Sequence, residues 1–441
     1  MRRYEEYKDS DVAWFGEIPK NWNIARLKDF SVNVKTGTTP SSSKGDFFEN
    51  GTENWYTPSD INNSLIINSS RKLSKHAFDI REVQKFPANC IYLIGIGGTL
   101  GKVGFSNVEA SCNQQINVIQ FNKNYDFKYG FYLMLVIGNT LIKWSNYTTM
   151  PIFTQTNTKN LLLIAPPFSE QQAIANYLDA KTQAIDKKVS LLKQKIETYK
   201  KLKNTIIAKA VTQGISNQEL SINDLGFKTP ANWTKYRLKD LGKLFSGLSG
   251  KSGDDFNQED NPNNRGFIPF TNIANNTYLK KDHLGTVVIN PGEKQNKVRK
   301  GDLFFLMSSE GYGDIGKTAV LADDIEEAYL NSFCKGYRVN QNKCNPYFLN
   351  YLLLSNIYRQ RLIVEGKGFT RINLKMEKVT DFEIFLPPTL SEQQEIANYI
   401  DHKTTTIDAI VGNISKQIET LKQLRKTLIN DVVTGKIKVV E

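Results

Sequence analysis

The chain has 441 residues, about three times the length of a usual domain, so it can bury more than one core. Its formal net charge of +12 favours polyanionic partners, because lysine and arginine release counterions from a phosphate backbone on binding, although a soluble basic protein without such a partner is the alternative. Aromatic residues, 11% of the sequence and present in both halves, favour packed domains over a disordered basic tail.

Cysteine and histidine are scarce. The cysteines Cys90, Cys112, Cys334 and Cys344 show neither metal-ligand nor disulfide spacing, so we expect reduced thiols, no metal and no cofactor. We expect the three histidines to be structural. The N-terminus lacks an apolar signal segment, and the most apolar stretch, 131–137, is too short to cross a bilayer, which predicts a cytoplasmic protein with no membrane partner.

Short motifs follow one another along the first 165 residues. Pro19-Lys20-Asn21-Trp22 comes first, then Gly37-Thr38-Thr39-Pro40, and later a Gly-x-x-Gly-Lys turn at 98–102 after a strand-like run. The apolar pattern predicts a helix over 129–137, and the polar segment Phe153-Thr154-Gln155-Thr156-Asn157 follows it.

A long helix is predicted next. Pro166-Pro167 ends an extended segment, and we expect Ser169 to cap the helix. Apolar residues then recur in alternating steps of three and four, which is the seam of a coiled coil. They are Ile185, Val189, Leu192, Ile196, Tyr199, Leu202, Ile206 and Ala210.

The same order of motifs returns in the second half. Pro230-Ala231-Asn232-Trp233, a Gly-x-x-Gly-Lys turn at 313–317, a predicted helix over 347–354 and the segment Phe369-Thr370-Arg371-Ile372-Asn373 repeat the first half. Ser391-Glu392-Gln393-Gln394 repeats Ser169-Glu170-Gln171-Gln172. The second seam is Ile407, Val411, Ile414, Ile418, Leu421, Leu424, Leu428 and Val432.

The duplication predicts an α+β fold with a pseudo-twofold internal repeat. Two similar mixed α/β domains are separated by two long helices that pair as an antiparallel coiled coil, since neither helix can bury its seam alone. A homotypic dimer seam is the alternative. We predict domains at 1–165 and 216–386 and helices at 166–215 and 387–441.

Three enzyme motifs are weak. Gly311 to Thr318 fits the P-loop pattern, but the first copy of the repeat has Ile96 and Val103 at key positions and no helix is expected at Lys317. Ala165-Pro166-Pro167-Phe168 lacks the amide or carboxylate of an adenine methyltransferase. Asp186-Lys187-Lys188 lies on the coiled coil and is explained by solvation, not by a nuclease site.

The sequence resembles the specificity subunits of type I restriction-modification systems over essentially its whole length. The Pro-Pro-x-x-Glu-Gln-Gln helix starts, the Gly-x-x-Gly-Lys turns, the Pro-x-Asn-Trp motifs and Gly37 to Pro40 carry the resemblance. The second half departs from the pattern, with Gly247-Leu248-Ser249-Gly250 where Gly-Thr-x-Pro is expected.

The resemblance implies a non-catalytic DNA-reading subunit. Each target-recognition domain then reads one half of a bipartite site in double-stranded DNA, two modification subunits pack around the helices, and restriction subunits join for cleavage. Half-sites about one helical turn apart suit two similar heads on a rigid frame. The alternative is a coiled-coil scaffold that binds proteins and no specific DNA sequence.

We predict DNA contacts from residues that offer charges or amides to phosphates and base edges. Local capping and solvation are the competing explanations. The predicted DNA-binding residues are Thr38, Lys102, Asn113, Gln114, Gln155, Asn157, Lys317, Asn331, Arg371 and Asn373. The lysine run on the first helix, from Lys187 to Lys203, is a solvated face, a phosphate contact or a docking surface for the modification subunit.

Overall fold

The computed structural model describes residues 2–41, 43, 46–141, 143 and 151–439. The chain divides into two compact units, called here unit 1 (Met1–Leu192 with Lys416–Glu441) and unit 2 (Lys193–Ser415). Each unit therefore takes part of both long helices. The domain boundaries expected from the sequence stay a prediction.

Unit 1 is built from short strands followed by helices. Its strands are β1 (Tyr7–Asp9), β2 (Glu17–Pro19), β3 (Asn23–Arg26), β4 (Ser31–Thr36), β5 (Glu53–Tyr56), β6 (Arg71–Leu73), β7 (Cys90–Ile94), β8 (Val103–Ser106), β9 (Ser111–Cys112), β10 (Ile116–Phe121) and β11 (Leu162–Ala165). Its helices are α1 (Leu27–Phe30), α2 (Lys75–Asp79), α3 (Phe127–Leu141), α4 (Gln155–Lys159) and the first part of α5 (Phe168–Gln213).

Unit 2 continues from α5 with the same kinds of element. Its strands are β12 (Leu220–Ile222), β13 (Lys228–Pro230), β14 (Thr234–Arg237), β15 (Gly242–Ser246), β16 (Asn264–Ile268), β17 (Tyr278–Leu279), β18 (Gly285–Val288), β19 (Leu303–Leu306), β20 (Ser308–Ser309), β21 (Thr318–Leu321), β22 (Ala328–Leu330), β23 (Cys334–Val339), β24 (Ile372–Asn373) and β25 (Glu383–Leu386). Its helices are α6 (Leu238–Leu241), α7 (Phe270–Asn275), α8 (Pro346–Leu354), α9 (Asn356–Ile363), α10 (Met376–Thr380) and the first part of α11 (Leu390–Val433).

The two units repeat one sheet topology. Unit 1 has a sheet in the order β4-β10-β7-β8, and unit 2 has the matching order β15-β23-β19-β21 with the additional strand β17 next to β21. A second sheet runs β6-β5-β9 in unit 1 and β18-β16-β22 in unit 2, with a parallel pair, β5 with β9 and β16 with β22, in both. The predicted α+β class and internal repeat are confirmed.

The central strand of each larger sheet is buried on both faces. Ile91 and Leu93 of β7 lie in one apolar cluster, while Cys90, Tyr92 and Ile94 lie in another. In β19, Leu303 and Phe305 lie in one cluster and Phe304 and Leu306 in a second. Since alternate side chains of a strand point to opposite faces, each strand separates two cores, which explains its continuous apolar run.

The long helices run antiparallel within each unit. In unit 1, Ile174 and Leu178 of α5 share a core with Leu428 and Val432 of α11. In unit 2, Ala210 near the end of α5 shares a core with residues 396–400 near the start of α11. Interhelical ion pairs agree with this direction: Asp186 pairs with Arg425 at 3.1 Å in unit 1, and Lys203 pairs with Asp408 at 2.6 Å in unit 2.

The predicted seam residues are covered to different degrees. Ile407, Ile414 and Ile418 are buried, whereas Ile185, Val189, Leu192, Ile196 and Val411 are partly buried. Leu202 and Leu424, which the sequence pattern also placed in the seam, are 45% and 52% exposed. A straight helix drifts away from a strict seven-residue repeat, so these leucines turn outward and the following residues, Lys203 and Arg425, turn toward the partner helix.

The predicted caps of the long helices were wrong by two positions. α5 begins at Phe168 and α11 at Leu390, so Ser169 and Ser391 lie inside the first turn. The Pro167 carbonyl accepts from Glu170 and Gln171 at the first start, and the Thr389 hydroxyl accepts from the Glu392 amide at the second. The extra residue before α11 allows a threonine to cap that helix.

The repeated Glu-Gln pair ties each unit to its long helix. Glu170 accepts a hydrogen bond from the Trp22 indole at 3.2 Å, and Glu392 accepts one from the Trp233 indole at 3.3 Å. Gln171 accepts from the Asp126 amide at 2.8 Å, as Gln393 does from the Asn345 amide at 2.7 Å. The Pro-x-Asn-Trp and Ser-Glu-Gln-Gln motifs therefore repeat together because they contact each other.

All four cysteines are buried and free. Burial raises the pKa of the Cys90, Cys334 and Cys344 thiols to about 12, so they stay protonated. Within the described part of the chain, no group of side chains has the make-up of a metal site, and no helix has the length and apolar character needed to span a bilayer.

Candidate nucleic-acid interface

The Gly-x-x-Gly-Lys turns adopt one backbone arrangement in both units. Ile94 donates to the Lys102 carbonyl at 2.9 Å and accepts from Gly101 at 3.0 Å. In unit 2, Leu306 donates to the Lys317 carbonyl at 3.0 Å and accepts from Gly316 at 2.7 Å. Gly101 and Gly316 both have a positive φ, 87° and 67°, which explains the second glycine of the motif.

The two turns are supported differently. A Cβ on Gly101 would lie 2.1 Å from the Gly138 carbonyl of α3, so that turn packs directly on helix backbone. In unit 2, the buried Arg359 guanidinium donates to the Ile315 and Gly313 carbonyls at 2.5 and 3.1 Å. Burial lowers the pKa of Arg359, because its charge is removed from water.

The two predicted phosphate-binding lysines differ in their surroundings. Lys102 is exposed at the end of its turn. Lys317 is partly buried, forms an ion pair with Asp314 at 2.6 Å and donates to the Ala274 carbonyl at 3.2 Å. Lys102 is therefore free to move toward a phosphate, whereas Lys317 must first break contacts within its own loop.

The P-loop interpretation of Gly311 to Thr318 does not fit the structure. Thr318 begins strand β21, and its hydroxyl donates to the Asn350 amide oxygen at 2.8 Å in the core. A phosphate-binding loop needs a helix N-terminus at this point. The segment that matches the P-loop pattern is a turn between two strands.

A second pair of turns brings predicted residues together. In unit 1, the Thr38 amide donates to the Cys112 carbonyl at 2.9 Å, beside Asn113 and Gln114. In unit 2, Leu248 donates in the same way to the Leu330 carbonyl at 2.8 Å, beside Asn331. Added Cβ atoms on Gly37 and Gly247 would lie 2.2 and 2.1 Å from the opposing backbone. Gly247-Leu248 is therefore the structural counterpart of Gly37-Thr38.

The amides in these turns are partly used for local structure. The Asn113 side-chain oxygen accepts from the Gln115 amide at 3.1 Å, and the Asn331 oxygen accepts from the Phe333 amide at 2.8 Å. Asn113 is buried, and Gln114, which is exposed, accepts from the Thr39 hydroxyl. Thr38 and Gln114 are the more accessible members of the unit 1 group.

The predicted match between Phe153–Asn157 and Phe369–Asn373 was wrong by five residues. Phe153 donates to the Gly95 carbonyl at 2.7 Å, and the residue that does the same in unit 2 is Leu374, which donates to Met307 at 2.8 Å. Helices α4 and α10 then follow at the same spacing. Phe153 and Leu374 are both core residues, whereas Phe369 is fully exposed.

Gln155 and Asn157 lie on helix α4. The Gln155 amide donates to the Val34 carbonyl, and the Asn157 backbone and side chain both bond to the Thr154 hydroxyl that caps α4. Neither residue lies on an irregular loop. Both are partly buried, and both take part in holding α4.

Arg371 and Asn373 lie on a hairpin of unit 2. Lys367 and Asn373 exchange backbone hydrogen bonds of 3.0 and 2.9 Å, which closes a loop with Phe369 near its tip. The Arg371 guanidinium lies 4.9 Å from the centre of the Phe333 ring, and Phe333 follows Asn331. The structure thus brings Asn331, Arg371 and Asn373 to one surface together with two exposed aromatic side chains that sequence analysis missed.

The lysines of α5 are mainly exposed. Lys200 pairs with Glu197 at 2.8 Å along the helix, and Lys203 pairs with Asp408 of α11. Exposed ion pairs contribute little to stability. The other lysines of this run remain accessible to an acidic partner.

Comparison with known proteins identifies the family. Residues 19–200 and 230–420 each match the type I restriction modification DNA specificity domain. The chain belongs to this family, and it is a type I specificity subunit with two target-recognition domains.

Similar proteins cover the chain almost completely. The MjaVIII specificity subunit of Methanocaldococcus jannaschii is 22% identical over 100% of this chain and 98% of its own length. The EcoBI specificity subunit of Escherichia coli is 21% identical over 78% of this chain and 73% of its own. The solved HsdS subunit of Thermoanaerobacter tengcongensis has a TM-score of 0.55 at 16% identity, over 95% of this chain and 98% of that one.

A further solved chain shares the fold more closely. It comes from work on complex assembly and conformational transition of the type I restriction-modification system. Its TM-score is 0.73 at 17% identity, and the match covers 95% of this chain and 99% of that chain.

Proposed function

We propose that this chain is the non-catalytic subunit that selects the DNA sequence for a type I restriction-modification complex in the cytoplasm. Each target-recognition domain reads one half of a bipartite site, and α5 with α11 sets the spacer between the halves. Two modification subunits dock on the helices, and restriction subunits join them for cleavage.

One observation carries this proposal. The same sheets and the same Trp-Glu and Gln contacts are built twice, whereas the loops at the Gly37 and Gly247 turns carry different side chains. Thr38 and Gln114 of unit 1 stand where unit 2 has Leu248 and Ser332. Repeated supports with dissimilar surfaces suit a protein that presents two different readers to one duplex.

The test is to co-express the chain with a modification subunit of a type I system and to map methylated adenines across the genome. We expect one split sequence with a fixed spacer. Scattered methylation, or a contiguous site, would contradict the proposal. Deleting the gene for this chain from the same strain should abolish methylation of the split sequence, which controls for methylation by other enzymes.

The salt dependence of DNA binding distinguishes this proposal from the alternative, in which the chain is a coiled-coil scaffold for other proteins. A complex that reads a duplex through exposed cations loses affinity steeply as salt rises, because counterions are released on binding. For the assembled complex on its methylated sequence, we expect the logarithm of the binding constant to fall steeply with the logarithm of the salt concentration. Binding that is absent, or the same for any sequence, supports the scaffold instead.

A further inference from the structure

The hairpin closed by Lys367 and Asn373, called here the aromatic hairpin, exposes the side chain of Phe369 to solvent. Phe369 is fully exposed, and Gly368, with φ of 148°, precedes it. A Cβ at Gly368 would lie 1.9 Å from the Arg371 carbonyl, so the loop is tight and projects the next residue outward. Phe369 gains no burial on folding, and together with Phe333 it places two exposed aromatic rings on one surface, which is a feature of interaction sites.

The surroundings of Phe369 favour DNA as that partner. Between Gly366 and Met376 the chain carries the cations Lys367, Arg371 and Lys375 and no acid. Phe333, 54% exposed, lies under the Arg371 guanidinium. Cations that neutralise phosphates beside an exposed aromatic ring are the combination by which proteins wedge into stacked bases.

We propose that Phe369 inserts into a base step of the half-site read by unit 2, while the flanking cations hold the phosphates on either side. This inference rests on the proposed function. Insertion unstacks the step, so the hairpin selects a sequence that opens easily, in addition to any hydrogen bonds from Asn331 and Asn373. The matching stretch of unit 1, residues 146–150, lies outside the described residues.

The experiment uses the full chain assembled with its modification subunits on the split sequence found by methylation mapping. Affinity is measured for Phe369→Ala, for Phe369→Trp and for Val364→Ala, which removes exposed apolar surface three residues before the hairpin. We expect Phe369→Ala to weaken binding by about 10-fold to 100-fold and Phe369→Trp to retain it, because any large ring can stack. Val364→Ala should match the wild type.

A second readout reports the opened step directly. The fluorescent base 2-aminopurine is placed at each position of the unit 2 half-site in turn. We expect one position to change in fluorescence with wild type and Phe369→Trp and to stay silent with Phe369→Ala. The half-site of unit 1 should respond alike in all variants.

Three results would overturn the inference. Unchanged affinity of Phe369→Ala would show that the ring does not contact DNA. Weaker affinity without any change in base stacking would make Phe369 a surface contact and not a wedge. Loss of assembly with the modification subunit, measured by analytical ultracentrifugation, would assign the aromatic hairpin to a protein interface. Failure to find a split sequence at all would instead contradict the proposed function.

Discussion

Single side chains explain why short motifs recur far apart in this sequence. The Tyr4 hydroxyl and the Trp22 indole both donate to Glu170, and burial together with this hydrogen bond raises the pKa of Tyr4. The sequence shows Trp22 and Glu170 as parts of two separate repeats. Their joint recurrence at Trp233 and Glu392 was the available signal that they touch.

Replacing Glu170 by alanine should destabilise unit 1. The change leaves the donors of Trp22 and Tyr4 without their acceptor, which costs about 2 kcal/mol of unfolding free energy. Urea unfolding followed by circular dichroism measures the effect. Glu197→Ala, which removes only an exposed ion pair with Lys200, serves as the control and should stay within about 0.5 kcal/mol of wild type. Equal effects of the two changes would contradict this role of Glu170.

Glu327 should make unit 2 sensitive to acid. Hydrogen bonds from Tyr329 and Lys297, with a further one from Arg265, lower the pKa of Glu327 from 4.5 to about 2. A carboxyl group whose pKa is lowered on folding stabilises the folded protein at pH values above its ordinary pKa of 4.5. This stabilisation is lost as the pH falls from about 4.5 toward 2. The stability difference between wild type and Glu327→Gln should therefore shrink over that interval in thermal unfolding. A difference that does not depend on pH would contradict it.

At the scale of elements, the apolar periodicity and the glycine turns predicted the structure correctly, whereas the similarity between short polar segments did not. The apolar repeat predicted α5 and α11, and the Gly-x-x-Gly-Lys motifs predicted matching turns, because core packing and positive φ restrict those positions. The Phe-Thr segments looked alike at Phe153 and Phe369, yet only Phe153 is a core residue. Surface residues are not restricted by packing, so sequence similarity there does not establish equivalence.

The turn at Gly101 should tolerate no side chain. Gly101→Ala places a Cβ against the Gly138 carbonyl and strains a positive φ, which we expect to cost about 3 kcal/mol of unfolding free energy. Gly98→Ala lies in the same turn with open space around it and should be nearly neutral. Chemical denaturation of both variants measures the difference. A neutral Gly101→Ala would show that α3 can move away from the turn.

At the scale of the whole molecule, the role of the helices as a ruler can be tested by lengthening both. Four residues inserted after Leu192 and four after Ser415 add about 6 Å to each helix, somewhat less than two base pairs at about 3.4 Å each. Methylation mapping should show a longer spacer with both half-site sequences unchanged. The same insertion in the loop between Ser216 and Asn217 is the control and should leave the spacer as it was. An unchanged spacer in the helix variant would refute the ruler.

The closure of the aromatic hairpin has a consequence for how such a protein evolves. Lys367 and Asn373 join through main-chain atoms, which every residue except proline can supply. The side chains at 369 to 371 can therefore change with little penalty to folding. Under the role proposed for Phe369, a change of target preference at this hairpin needs no compensating substitution in the core.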